Sequence, residues 1–136
     1  MTEPPAPIPE VAAIGTVDVA LPAPCLAAAE VATERFCAAH PELLERYGER
    51  GRAYTNHDFA YLFAWAVDAV AFGDPPLFTR NVTWLRDLLA ARDLPAAWFV
   101  ASVRLVREVA IDAGLLGEAD AVRVIDPGIA AVEDHR

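Results

Sequence analysis

Apolar residues recur every three or four positions in three consecutive segments of the chain, which is the spacing of one face of an α-helix. These residues are Phe59, Leu62, Phe63, Ala66 and Val70 in the first segment, Phe78, Val82, Leu85 and Leu89 in the second, and Phe99, Val103, Val106 and Ala110 in the third. Trp84 is expected to widen the second buried face. Residues 25–40 precede these segments and are rich in alanine, the best helix former, so they predict a fourth helix. Because no segment combines alternating β-branched residues with a hairpin turn pair, the pattern predicts an all-α protein.

Prolines and glycines mark where the predicted helices begin and end. Pro41 is expected in the first turn of a short helix that stops at Gly48. Gly73 ends the helix that carries the first apolar face, because proline residues follow it closely. Pro95 begins the last long helix, which stops at Gly114.

The start of the helix with the first apolar face is predicted from a capping pattern. Thr55 and Asp58 resemble a capping box, in which the hydroxyl accepts a backbone amide hydrogen and the carboxylate lies near the positive end of the helix dipole. The helix should therefore begin at Thr55, with residues 49–54 as a surface loop and His57 in the cap turn. Asp74 is expected to cap the following helix in the same way.

The connections between these helices are short, which favours antiparallel neighbours. The economical architecture is an up-and-down bundle of four main helices with short extra helices, one of which is expected to start at Asp126 and Pro127. A globin-like arrangement is the alternative, because periodicity does not set crossing angles. Residues 1–24 hold six of the eleven prolines, so they are expected to form a flexible arm that precedes a single helical domain at 25–136.

Composition and charge limit the partners and the location. The formal net charge is −9, which disfavours nucleic acid and anionic membranes, because phosphate binding needs clustered basic residues. The apolar run of residues 54–73 is too short to span a membrane and contains Asp68. The first residues are acidic and proline-rich, unlike a secretory signal, so a cytoplasmic location is expected. All eleven basic residues are arginine, a usage that indicates a GC-rich bacterial genome.

The sequence contains no motif typical of catalysis or of cofactor binding, so we expect neither an enzyme nor a cofactor. Ser102, the one serine, lies inside a predicted helix without a G-x-S-x-G pattern, and no nucleophile motif surrounds His57. Cys25 and Cys37 would lie about 18 Å apart on one helix, which is beyond the reach of a disulfide. Cys37 and His40 offer two metal ligands at most, so no metal site is expected.

A set of capping and packing residues in the run of residues 55–109 resembles a known family. The residues are Thr55, Asp58, Asp74, Pro75, Leu77, Phe78, Trp84, Leu85, Arg92 and Pro95. Their order is similar to that of the helical module that precedes the cobalamin-binding domain in bacterial sensory and regulatory proteins, and the resemblance implies a regulatory role. Leu62 stands where that module has a histidine, and the chain has no Asp-x-His-x-x-Gly segment. Globin-like sensor modules of stress-signalling proteins are similar in length and in residue pattern, and they are the alternative resemblance.

Two classes of function remain open at this point. The first is a non-enzymatic helical regulatory or protein-interaction module of a bacterial signalling or gene-regulatory system. The second is a small-molecule sensor that binds a tetrapyrrole or another apolar ligand between its helices. The residues expected to line a pocket or an interface, if they are not simply core, are Tyr61, Leu62, Trp65, Trp84 and Trp98.

Tyr61 and Trp65 form a second apolar strip on the helix that carries the first apolar face. A helix that is apolar on more than one face is deeply buried or shared with a partner. We therefore expect a homodimer, or a surface for a protein partner, that includes both residues. We also expect no histidine to act as an axial ligand of haem or cobalamin, since His57 is predicted to lie in a helix cap rather than on an apolar face.

Overall fold

The computed structural model describes residues 21–133, and within that range the protein contains α-helices and no strand. The elements are α1 (Ala23–Ala39), α2 (Pro41–Ala71), α3 (Pro75–Ala90), α4 (Ala96–Asp112), α5 (Glu118–Asp120), a π-helical turn (Ala121–Ile125) and α6 (Asp126–Glu133). The predicted all-α helical bundle is confirmed. The predicted arm lies outside the described residues except for its last four, where α1 already begins at Ala23. Across residues 21–133, no helix combines the length and the apolar character that crossing a membrane requires.

The helix boundaries predicted from prolines and glycines agree with the structure. Pro41 is the first residue of α2 and Pro75 is the first of α3, where a missing amide hydrogen costs the helix nothing. Gly73 and Gly114 follow α2 and α4 with φ angles of 64° and 75°, a left-handed backbone that favours glycine. Asp74 occupies the N-cap of α3 as predicted, although its side chain makes no capping hydrogen bond.

A single residue, Gly48, divides α2 into two helical parts. Its φ of 67° and ψ of −158° are not helical, so residues 41–47 and 49–71 run in different directions. The predicted stop at Gly48 is confirmed.

The predicted loop at 49–54 is wrong, because these residues are helical. Thr55 consequently lies inside α2, where its hydroxyl donates a hydrogen bond of 2.8 Å to the carbonyl oxygen of Gly51 and caps nothing. The segment packs against the rest of the bundle: Gly51 is buried, and the guanidinium of Arg52 lies 2.9 Å from the carboxylate of Glu34 on α1. Tertiary packing overrides local propensity, and the exposed ion pair adds little to it.

The core forms where the three predicted apolar faces meet α1. Phe59, Phe63 and Phe78 are almost completely buried, and so are Val103 and Val106 of α4. Burial of side chains this large supplies most of the favourable free energy of folding, because it removes extensive apolar surface from water. The three faces are therefore predicted correctly, with Val70 and Leu89, the last members of the first two, half-buried at the edge of the core.

Helix α1 lies against both α2 and α4. Thr33 Oγ1 is 3.2 Å from Asn56 Oδ1 of α2, and the guanidinium of Arg35 is 2.8 Å from the carboxylate of Glu108 on α4. Apart from Phe36, its buried face consists of the small residues alanine, cysteine and threonine, which allow close approach of the helices.

The C-terminal segment passes from α5 through the π-helical turn into α6 without leaving helical backbone. The predicted start at Asp126 is the point where the π turn becomes α-helix. Pro127 explains the π turn, because its ring crowds the preceding turn and removes one amide donor. Two ion pairs join this segment to α4: the guanidinium of Arg107 lies 2.8 Å from the carboxylate of Glu118 and 2.6 Å from that of Asp126.

The backbone of α6 closes directly on α3. A Cβ atom at Gly128 would lie 2.8 Å from two ring carbons of Phe78, so only glycine fits here without a shift of the ring. Phe78 is completely buried, so this contact lies within the core.

Both cysteines are buried and free, as the spacing argument predicts. Burial raises the pKa of the Cys25 thiol and also that of Cys37. Both therefore remain neutral thiols, and they act as small apolar side chains in the core.

Candidate functional site: an aromatic groove between α2 and α3

Helices α2 and α3 are joined by the short turn at 72–74, and a half-open groove of about 680 Å³ lies along the side of this pair. Helix α2 contributes Tyr47, Tyr54, Tyr61 and Trp65 to the groove, and α3 contributes Trp84. We call this the aromatic groove. It contains three of the five predicted site residues.

Leucines and a few charged side chains complete the aromatic groove. The leucines are Leu43, Leu85, Leu88, Leu89 and Leu94. The ionisable residues, apart from the tyrosines, are Arg50, His57, Asp58 and Arg92. The lining is therefore mainly apolar, with a small number of polar groups, which is the composition of most binding pockets.

Three rings of α2 follow one another along the groove. The ring centroids of His57 and Tyr61 are 4.8 Å apart, and those of Tyr61 and Trp65 are 6.2 Å apart. These residues are spaced by four, which places them one above another on the same face of the helix. Tyr61 and Trp65 are both half-buried. Part of each side chain is covered by the bundle, and the rest faces the groove.

Trp84 is the most exposed residue of the predicted set. The expectation that it widens the buried face of α3 is wrong, because 58% of its surface is accessible to solvent. The buried side chains of α3 are Phe78, Val82 and Leu85, and Trp84 lies just outside that face. Its exposed indole offers a partner a large apolar surface to cover.

Asp58 lies at the point where the groove adjoins a second, smaller cavity, and it lines both. Burial raises the pKa of Asp58, while a hydrogen bond from His57 and the charge of Arg92 oppose that shift. His57 Nδ1 is 3.4 Å from Asp58 Oδ1. A carboxyl group in this setting takes up a proton more readily than an exposed aspartate.

The remaining two predicted site residues, Leu62 and Trp98, line the second cavity rather than the groove. This cavity has a volume of about 90 Å³, large enough for a few water molecules only. Trp98 belongs to a cluster of rings: it meets Phe36 and His40 edge-on, at centroid distances of 6.4 Å and 5.9 Å. Leu62 is 1% exposed. Both therefore contribute chiefly to packing.

His57 is not where the sequence predicted it. It lies inside α2, not in a cap, and its half-buried imidazole lines the aromatic groove. The reason given for excluding this histidine as an axial ligand is therefore wrong. The expectation itself, that no histidine ligates a tetrapyrrole, stays a prediction.

One end of the groove was not predicted from the sequence; it is lined by Tyr47, Arg50 and Tyr54. Position 47 lies beyond the break at Gly48, whereas positions 50, 54, 58, 61 and 65 follow a single helical spacing, which was the available signal. It was hidden because residues 49–54 were assigned to a loop.

No group of three histidine, cysteine, aspartate or glutamate side chains within residues 21–133 is arranged to hold a metal ion. Comparisons of the chain with protein-family models, with curated proteins and with solved structures give no match.

Proposed function

We propose that this chain is a non-enzymatic helical recognition module of a bacterial regulatory system, and that it binds an extended, largely apolar segment of a partner protein in the aromatic groove. The observation that carries the proposal is the alignment of Tyr54, Tyr61, Trp65 and Trp84 along one half-open groove. The resemblance to helical modules of bacterial regulatory proteins, carried by the residues given above, points in the same direction.

The kinds of side chain in the groove support a protein partner. Tyrosine, tryptophan and arginine are the residues that most often dominate the binding energy of protein interfaces. Trp84 is 58% exposed, so a partner that covers its indole would remove a large apolar surface from water. Tyr61 and Trp65 are held in place by their ring contact, so they lose little conformational freedom on binding.

The threonine and serine hydroxyls in the two cavities support binding rather than nucleophilic chemistry. The Thr55 hydroxyl donates to the Gly51 carbonyl oxygen at 2.8 Å, and the Ser102 hydroxyl donates to the Trp98 carbonyl oxygen at 2.9 Å. Both hydroxyls are therefore engaged in bonds within their own helices. A nucleophile instead needs a hydrogen bond to a nearby base.

A library of random peptides displayed on phage tests the proposal, with the whole chain as bait. We expect enriched peptides that contain apolar or proline residues. Their affinity should fall by roughly 30-fold or more in Trp84→Ala, since loss of a hot-spot residue costs at least about 2 kcal/mol.

Phe72→Ala is the matched control for this experiment. Phe72 is 75% exposed, follows α2 directly and does not line the groove. Its substitution should leave peptide affinity unchanged. Enrichment of no peptide, or equal losses in both variants, would contradict the proposal. If sedimentation velocity instead finds a dimer that Trp84→Ala dissociates, the groove's partner is a second copy of the chain.

A small apolar molecule is the second candidate, because a volume of about 680 Å³ falls in the range typical of small-molecule sites. The imidazole of His57 makes a tetrapyrrole the specific case to test. Addition of haem to the purified protein should then give an absorption band that His57→Ala abolishes. Absence of such a band in the parent protein would remove this candidate.

A further inference from the structure

The chain itself contains a segment of the kind that aromatic grooves bind. Residues 3–10 read EPPAPIPE, with prolines at 4, 5, 7 and 9. Proline-rich segments favour the polyproline II helix, which has no internal hydrogen bonds and little conformational entropy left to lose. Protein grooves that recognise this helix are lined with aromatic side chains.

The spacing of the groove's tyrosines matches the repeat of such a helix. Tyr54 and Tyr61 are seven residues apart on α2, so they are separated by about 10.5 Å along the helix axis. One turn of polyproline II takes three residues and about 9.3 Å. Pro4 and Pro7 are one turn apart, so they can meet the two tyrosines in succession.

Charge also favours this occupant. The prolines are flanked by the carboxylates of Glu3 and Glu10, and the aromatic groove is lined by Arg50 and Arg92. The chain as a whole carries a formal net charge of −9, so few surfaces other than one with arginines attract an acidic segment.

The segment can reach the groove. Residues 10–20 connect Pro9 to Leu21, where the described part of the chain begins, and eleven extended residues span up to about 36–40 Å. The part of the groove between Gly51 and Trp65 is about 21 Å long, measured along α2. Helix α1 runs antiparallel to residues 49–71, because Glu34 pairs with Arg52 while Cys25 lies near Asp68, so its first residue lies toward the Trp65 end.

We propose that residues 3–10 bind in the aromatic groove as a polyproline II helix and so compete with the partner. This inference rests on the proposed function of the groove. A tether of about eleven residues gives an effective concentration of about 1 mM, so a segment that binds with a Kd of about 0.1 mM occupies the groove about ten times more often than it leaves it empty. A partner must displace it, which makes the arm an internal regulator of binding.

A labelled peptide of residues 2–11 tests this with the whole chain. Its affinity is measured by fluorescence anisotropy for the parent protein and for a variant with Pro4→Ser, Pro5→Ser, Pro7→Ser and Pro9→Ser. We expect the variant to bind the peptide about tenfold more tightly, since its own arm no longer competes. The added substitution Trp84→Ala should abolish that binding.

The matched control carries Ala12→Ser and Ala13→Ser, which alter the arm outside the proline segment and should change nothing. Equal peptide affinity for the parent and the four-proline variant overturns the inference, and so does absence of peptide binding to both. If library peptides still bind the groove in either case, the proposed function stands and only self-occupancy is refuted. If neither library peptides nor the arm peptide binds, both proposals fail.

Discussion

Replacement of Phe63 by alanine tests the packing on which the groove depends. Phe63 is 0% exposed, and its ring centroid is 6.4 Å from that of Phe59 on the same helix. Removal of a buried phenyl ring loses its transfer free energy and leaves a cavity, so Phe63→Ala should cost about 3–5 kcal/mol. That is a large part of the stability of about 5–15 kcal/mol that is usual for a domain.

Urea titration followed by far-UV circular dichroism measures this loss. In thermal unfolding the same loss should lower the Tm by about 12–20 °C, at about 4 °C for each kcal/mol in a domain of this size. Phe72→Ala makes the same chemical change near the end of the same helix, at a side chain that is 75% exposed. It should change stability by no more than about 0.5 kcal/mol. A loss below about 1 kcal/mol for Phe63→Ala, or equal losses for the two variants, would refute the burial argument. If Phe63→Ala does not fold, Phe63→Leu provides a smaller, measurable loss.

Two further predictions concern Asp58, which lines the aromatic groove, and the contact of α6 with α3. Burial raises the pKa of Asp58 in the folded protein, so folding favours the protonated carboxyl. The stability that this proton binding contributes is fully present below the pKa of the unfolded state, and it is lost as pH rises through the folded-state pKa. Asp58→Asn should therefore gain stability relative to the parent as pH rises from about 4 to about 8, and a difference that does not vary with pH would contradict this. Gly128→Ala should lower the free energy of unfolding by about 1–3 kcal/mol, because the new Cβ is forced against the ring of Phe78. The higher helix propensity of alanine offsets about 1 kcal/mol of this loss. Ala130→Gly, at an exposed position of α6, measures the difference in helix propensity between alanine and glycine separately. If Gly128→Ala stabilises the protein by that same difference, the ring of Phe78 moves aside at no cost in free energy and the prediction is contradicted.

The fold was predictable because its signals are local. A proline restricts its own backbone and that of the preceding residue, and a glycine permits a left-handed turn, so Pro41, Gly48 and Gly114 can be interpreted one at a time. The helical residues 49–54 were missed for the opposite reason. Gly51 is buried in the bundle and Arg52 pairs with Glu34, 18 residues away, and contacts between residues so distant in sequence leave no local signal.

The site was only partly predictable. The second apolar strip of Tyr61 and Trp65 can be derived from helical spacing and lies in the groove as one wall. The position of Trp84 opposite that wall depends on how α3 turns back along α2, which spacing along one helix does not determine. Exposure at the edge of an apolar face cannot be distinguished from burial by periodicity alone.

The backbone at Gly48 has a consequence for the choice of ligand. Leu43 and Tyr47 lie on one side of this residue, and Tyr54, Tyr61 and the rest of α2's contribution lie on the other. The backbone conformation of Gly48 therefore sets the distance between Leu43 and Tyr47, at one end of the groove, and the residues that line the rest of it. If the groove binds a segment as proposed, a change of backbone at this position should alter the length of segment that fits while the side chains that line the groove stay the same. Under that proposal, selection by length and selection by chemistry would be carried by separate residues, so that each could change while the other is kept.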